Sequence, residues 1–301
     1  MSLLVTGSIG IDTVETPLGK AENVLGGSCV YFALAASLFT PVRLVGVVGD
    51  DFDTQLFEPL RARRVDLHGV ERRVGSRTFR WHGRYAGAMN EAETVRVDLN
   101  VLAERNAIVP PEYRDSEFVF LANTHPRIQR EVAEQFSGAR LVVCDTMNHW
   151  IHTEKPALHD TLRAVHGIVL NEGEARLLTG ETNLVLAGRA ILRLGPRIVV
   201  IKKGEHGSLL VAQDDLFVMP PYPTVNVVDP TGCGDCFAGA MMGWLASTGD
   251  LSRRGLRAAM ARGSVVASFV LESFSVQALA STTAADVERR LRELVEIARF
   301  D

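Results

Sequence analysis

Cysteine is scarce in this chain, long apolar runs and a basic surplus are missing, and neither common glycine fingerprint for nucleotides occurs. Each gap excludes something. The four cysteines among 301 residues, Cys29, Cys144, Cys233 and Cys236, are too few and too scattered for a disulfide framework, so reduced thiols are expected. Cys233 and Cys236 form a C-x-x-C that suits redox chemistry or half a zinc site, but no second C-x-x-C or His pair completes the metal spacing. No stretch is apolar enough to span a bilayer, so no membrane partner is expected. The start, Met1 to Gly7, lacks a basic segment and runs straight into a strand-like sequence; no secretory signal is read, and the cytoplasm is the expected compartment. With 32 Lys and Arg against 36 Asp and Glu, the net charge is −4, and the scattered arginines make no nucleic-acid surface. A small molecule is the expected partner. Walker A is absent, and a full G-x-G-x-x-G fails because Phe237 stands three residues after Gly234. Gly7-Ser8-Ile9-Gly10 lacks the fingerprint a nicotinamide dehydrogenase needs. Repeats, low-complexity tracts and long linkers are likewise missing.

What is present reads as α/β. Apolar strand-like runs at Leu3–Ser8, Val42–Val48, Phe118–Leu121, Leu141–Cys144, Gly167–Leu170 and Arg197–Ile201 alternate with helical patterns, the order of a parallel sheet. A helix is expected from Val30 to about Leu38 and another near Asp53–Ala62. Leu209–Val211 and Leu216–Met219 read as an antiparallel pair, and the last hundred residues as mainly helical. Between Asp66 and Val97 the pattern changes to period two, clearest in Thr78–Tyr85, as in a half-exposed strand. With Thr13–Leu25 this suggests a small inserted sheet.

The most informative stretch is Asn226 to Ala240, with Asp229-Pro230-Thr231-Gly232-Cys233-Gly234-Asp235 before an apolar helix from Cys236 to Leu245. Pro230 turns the chain out of an extended run. Gly232 and Gly234 let an anion approach backbone amides, and the helix start adds unpaired N–H groups and the positive dipole end. Taken alone, an ordinary capped turn explains a G-x-G as well.

Here the residues resemble the ribokinase family of carbohydrate kinases, also called PfkB. Asp229 to Ala240 is similar to its C-terminal signature, with Cys233 where Ala is usual. Asn23 to Ser28 leading into Ala33-Leu34-Ala35-Ala36 is similar to its N-terminal Gly-Gly signature. Val45 to Phe52, Asn171-Glu172-Gly173-Glu174 and Lys203 to Gly207 resemble three further segments. The resemblance covers nearly the whole chain and implies one domain over residues 1–301. That domain is a three-layer α/β/α sandwich with a mostly parallel sheet, and residues 12–25 and 72–98 form a β lid over the substrate site. It implies an ATP- and Mg²⁺-dependent kinase, with K⁺ as an additional cation in some cases.

By the same resemblance Asp235 is the base that takes the acceptor hydroxyl's proton, and the amides of Gly232, Cys233 and Gly234 hold developing charge. Asp12 accepts from two sugar hydroxyls, and Gly26 and Gly27 let backbone approach the sugar. Asn171 and Glu174 serve Mg²⁺ and phosphate, with Glu174 on the metal side; the alternative is a helix cap. Gly204 and Gly207 form the nucleotide loop, where Lys202 replaces a frequent Thr and either reaches a phosphate or is solvated. Phe79, Trp81 and Tyr85 share a strand face that covers a sugar, stacks on a base, or packs lid against core or a second copy in a homodimer. A free sugar is the first expectation for the acceptor, with a nucleoside close behind: Tyr85–Asn90 and Gly263–Ser273 are similar to bacterial members acting on adenosine. A non-catalytic sugar- or nucleotide-binding regulator is the alternative from another class, and loss of Asp235 would have been its sign.

Overall fold

Neighbouring residues on a strand face opposite ways, and in the central strands of this protein both directions are apolar. The computed structural model describes residues 2–299. Its strands are β1 (Leu3–Thr6), β2 (Gly10–Thr16), β3 (Gly19–Gly26), β4 (Val42–Gly49), β5 (Asp66–Arg73), β6 (Phe79–Tyr85), β7 (Ala92–Asp98), β8 (Phe118–Leu121), β9 (Leu141–Cys144), β10 (Gly167–Asn171), β11 (Ile198–Lys202), β12 (Ser208–Ala212) and β13 (Asp215–Met219). Nine form one sheet in the order β13-β12-β11-β10-β9-β8-β1-β4-β5. All its pairings are parallel except those of β12.

Leu3, Val5, Phe118, Phe120 and Val143 join one core with helices Ser28–Ala36, Cys233–Thr248 and Arg253–Val270. Leu4, Val119, Leu121, Val142 and Ile168 join a second core with helices Pro126–Ala133, Lys155–Ala164, Glu172–Thr179 and Leu184–Leu192. Two cores on opposite faces of one sheet make the expected α/β/α sandwich. Phe32 stacks on Phe120 with ring centroids 4.4 Å apart, tying helix Ser28–Ala36 to the middle of the sheet.

The second sheet has the order β3-β2-β6-β7. Residues 66–73, which share the polar patterning of the inserted segment, belong instead to the main sheet: β5 pairs parallel with β4, from Val45↔Gly69 to Gly49↔Arg73. Arg72 and Arg73 therefore lie outside the second sheet. The charges misled because β5 is an edge strand, where polar residues are usual. Arg73 is buried by bonds to Glu71, Glu104 and the Val101 and Arg105 carbonyls. No described helix is long and apolar enough to cross a membrane.

Candidate active site

Helix Cys233–Thr248 begins three residues earlier than its apolar pattern suggests, so the glycine turn is its first turn. Gly232 is the N-cap at φ 79°, a left-handed conformation that glycine adopts without strain. A Cβ there would also stand 2.4 Å from the Tyr31 ring. The Cys233 N–H donates to Pro230 O at 3.2 Å. This corrects the expectation for Cys233: its amide closes the turn. The amides without a hydrogen-bond partner among the described residues are those of Gly232, Gly234 and Asp235. The Cys233 and Cys236 thiols point to separate carbonyls, of Ala267 and Tyr31, each 3.7 Å away. All four cysteines are free, and burial holds both C-x-x-C thiols well above their ordinary range, which disfavours the thiolate that redox exchange needs.

The other end of the site is the start of helix Ser28–Ala36. Gly27 is its N-cap at φ 101°, and any side chain there would meet Ser8 O at 2.4 Å. A Cβ on Gly26 would lie 1.8 Å from Asp12 Oδ2. Asp12, on β2, is thus pressed against the Gly-Gly backbone and is 4% exposed. Its Oδ1 has no hydrogen-bond partner, an unusual state for a buried carboxylate oxygen and one that a ligand hydroxyl would relieve. Burial, aided by the charge of Asp229, pushes the Asp12 carboxyl up to about 7 against a bond from the Gly27 N–H.

Two helix N-termini that lie 205 positions apart in sequence become neighbours because helices Ser28–Ala36 and Cys233–Thr248 pack backbone to backbone. A Cβ on Gly239 would fall 2.3 Å from Phe32 O, and one on Gly243 2.8 Å from Ala36 O. Asp12 consequently feels the charge of Asp235. Asp235 is half-buried, and desolvation raises its carboxyl to about 7, with Lys202 opposing and Glu174 adding to the rise.

Strand ends supply the rest, as expected at the carboxyl edge of a parallel sheet. β10 ends at Asn171 and β11 at its register partner Lys202. Asn171 and Glu174 form a capping box: Asn171 Oδ1 accepts from the Glu174 N–H at 2.8 Å, and Glu174 Oε2 accepts from the Asn171 N–H at 2.7 Å. The cap reading of this pair therefore holds, while the buried Glu174 carboxylate still bears on Asp235. The Lys202 ammonium lies against Gly234, 2.5 Å from where a Cβ would be, and the exposed turn residues 204–206 follow it in sequence. That turn is a 3₁₀ segment, Gly204–His206, with Gly204 and Gly207 at positive φ and the Lys203 N–H on Gly207 O at 2.8 Å.

The aromatic trio divides. Phe79 packs at Gly10 beside Asp12 Oδ1. Trp81 lies on Gly83 with its Nε1–H on Thr94 Oγ1 at 3.2 Å. The Tyr85 hydroxyl is 3.2 Å from Thr231 Oγ1, joining the second sheet to the glycine turn. One group escaped the sequence reading altogether. Asp145, just beyond β9, is 7% exposed with an unpartnered Oδ1, and burial and then the charge of Asp235 hold its carboxyl well above the usual range. An acid directly after an apolar parallel strand was the available signal. Asp229, by contrast, is structural, accepting from the Thr231 and Ser275 N–H groups.

Among the described residues no three His, Cys, Asp or Glu side chains form a metal cage. Magnesium carried by a nucleotide keeps waters and phosphate oxygens and needs only one or two carboxylates. Asp145, with its orphaned oxygen, and Glu174 fit that demand.

The assembly offers a proton acceptor, unspent amides at a helix start, a second buried carboxylate for hydroxyls, and an acidic flank, which are the parts of phosphoryl transfer to an alcohol. The chain is 28% identical over 248 residues to a cytidine kinase of Thermococcus kodakarensis, covering 80% of this chain and 87% of that protein. Its fold matches a Burkholderia thailandensis nucleoside kinase in complex with inosine at a TM-score of 0.81 and 18% identity, covering 97% of each chain. It also matches an Arabidopsis thaliana ribokinase complexed with ribose and ATP at 0.78 and 21%, covering 96% of this chain and 98% of that one. The model of the pfkB family carbohydrate kinases matches residues 6–283, which takes in both helix starts and everything between them, and the chain belongs to that family.

Proposed function

We propose that the protein is an ATP-dependent kinase that phosphorylates the primary hydroxyl of a ribose unit, with Asp12 reading the vicinal diol and Asp235 taking the hydroxyl proton. The observation that carries this reading is the pair of adjoining helix starts, one beside a buried carboxylate with an unpartnered oxygen and the other with a carboxylate among free amides. A carboxylate that accepts two hydroxyls holds the sugar in one orientation. Asp235, raised toward neutrality, is matched to a proton transfer near pH 7. The amides of Gly232, Gly234 and Asp235 supply donors for the phosphoryl oxygens. Mg²⁺ held near Glu174 and Asp145 would neutralise phosphate charge, and K⁺ is a further candidate cation. Gly204 and Gly207 shape the turn we assign to the nucleotide.

For the acceptor, the face of the second sheet favours a nucleoside over a free sugar. Trp81 pairs with Val97, which is 48% exposed, on the face that carries Asp12 and Phe79, and an apolar shelf of this kind suits a base rather than a bare pentose. We assign these strands as the lid over the substrate, and as the contact of a homodimer that sedimentation would detect. Four free thiols suit a reducing compartment, in keeping with a cytoplasmic location. The test is ATP consumption over a panel of pentoses, hexoses, phosphosugars and nucleosides with Mg²⁺, with and without K⁺. Turnover of a ribonucleoside ahead of ribose is expected; silence across the panel overturns the kinase reading in favour of a binding protein.

A further inference from the structure

The fold delivers the Lys202 ammonium to the glycine turn without giving it a hydrogen-bond or ion-pair partner among the described residues. We infer that its ammonium is a catalytic group that binds the transferring phosphoryl group, rather than a contact of the nucleotide turn that follows it in sequence. The inference rests on the kinase reading above. The Lys202 side chain runs along Gly234, with Nζ, Cε and Cδ at 2.5, 3.5 and 3.8 Å from the position of a Cβ there. Any residue larger than glycine at 234 would displace the ammonium. It stands among Asp145, Glu174 and Asp235, each of which feels its charge. Yet among the described residues it has no carboxylate within 4.0 Å and no hydrogen bond, so its three N–H donors are unspent. The amides of Gly232, Gly234 and Asp235 open beside it.

The charges explain the need. Three acids around a site that must admit a polyphosphate would repel it, and a lysine at their centre offsets that repulsion where the phosphoryl group arrives. During transfer the acceptor oxygen bonds to the γ-phosphorus and the bond from γ-phosphorus to the β,γ-bridging oxygen breaks. The electron pair leaves with ADP, and the acceptor proton passes to Asp235. Negative charge on the equatorial phosphoryl oxygens then meets Lys202 and the amides. A compact ammonium fits against Gly234 where a planar guanidinium would not.

Lys202→Ala is expected to lower kcat by ~10²–10³-fold while the KM for ATP stays within about threefold. Ethylammonium added to Lys202→Ala should restore at least ~10-fold of the lost rate by occupying the vacated position, which a merely structural lysine would not permit. Lys202→Arg should remain impaired. Melting temperature and nucleotide titration verify folding; should Lys202→Ala not fold, Lys202→Met keeps the stem and carries the kcat-against-KM comparison. A raised KM for ATP with kcat unchanged, or a kcat near wild type, overturns the inference. Wild-type silence on the panel overturns the kinase reading itself, so the two failures are distinct.

Discussion

Replacing Gly26 by alanine adds one methyl group at the point where the backbone touches Asp12. The new Cβ would sit 1.8 Å from Asp12 Oδ2 and 2.2 Å from its Cγ, so the carboxylate must swing away. Asp12 is packed between Gly10, Phe79 and the Gly-Gly segment, and an overpacked core site of this kind costs about 1–3 kcal/mol of stability. The larger effect falls on the acceptor. A hydrogen bond to a charged group contributes about 1.5–3 kcal/mol, so losing two from a diol costs roughly 3–6 kcal/mol. At about 1.4 kcal/mol per tenfold, kcat/KM for the acceptor should fall ~10²–10⁴-fold. ATP affinity should barely change, because the nearest atoms to the added methyl group all belong to Asp12 and none to the glycine turn at 232–235. Steady-state kinetics with varied acceptor, ATP titration and a melting curve measure the three quantities. Gly27→Ala is the contrast: with φ at 101° and Ser8 O at 2.4 Å it strains the helix start itself and should lower the melting temperature more than Gly26→Ala. Folded Gly26→Ala with acceptor kcat/KM within threefold of wild type would refute the assignment of Asp12.

Asp235→Asn should reduce kcat by ~10³-fold or more and leave ATP binding nearly intact; a rate within tenfold of wild type sinks its role as base. Without ligands, the rise of Asp12 from 3.8 to about 7 sets a pH signature. The folded state holds a proton that the unfolded chain releases, so this group's contribution falls as pH rises from about 4 to 7 and is flat above. Relative to wild type, Asp12→Asn should therefore gain up to roughly 4 kcal/mol across that window in denaturant unfolding, and a gap that narrows instead would contradict the burial argument. Tyr85→Phe removes the bond to Thr231, worth about 0.5–1.5 kcal/mol, and should slow kcat roughly 2–10-fold while lowering the melting temperature by no more than a few degrees; an unaltered kcat would mean that the contact does not serve the turn.

Much of this was readable before any coordinates. Strand runs such as Phe118–Leu121 and Leu141–Cys144 carry their own boundaries because a strand buried on both faces must be apolar throughout. The Gly-Gly, N-x-x-E and glycine-turn segments announce themselves because helix starts have strict local chemistry. The misreadings have equally local causes. Polar β5 looked like part of an inserted sheet because it is an edge strand, and the Cys233 amide looked free because a turn's internal hydrogen bonds are not written in residue types.

What a stretch of chain does with its own neighbours, turning at Pro230, capping at Asn171 or ending a strand at Lys202, was determined by the sequence itself. Which of these stretches meet was decided only in three dimensions. Gly239 and Gly243 let helix Cys233–Thr248 lie directly on helix Ser28–Ala36, and that contact puts Asp12 within reach of Asp235's charge. Parallel pairing sets Lys202 beside Asn171 and points its stem along Gly234; the same edge brings Asp145, which no motif marked, under the charge of Asp235. Residue order encodes conformations over a few bonds, whereas the electrostatics of a site depend on ångström-scale distances between segments far apart in sequence, which packing alone sets.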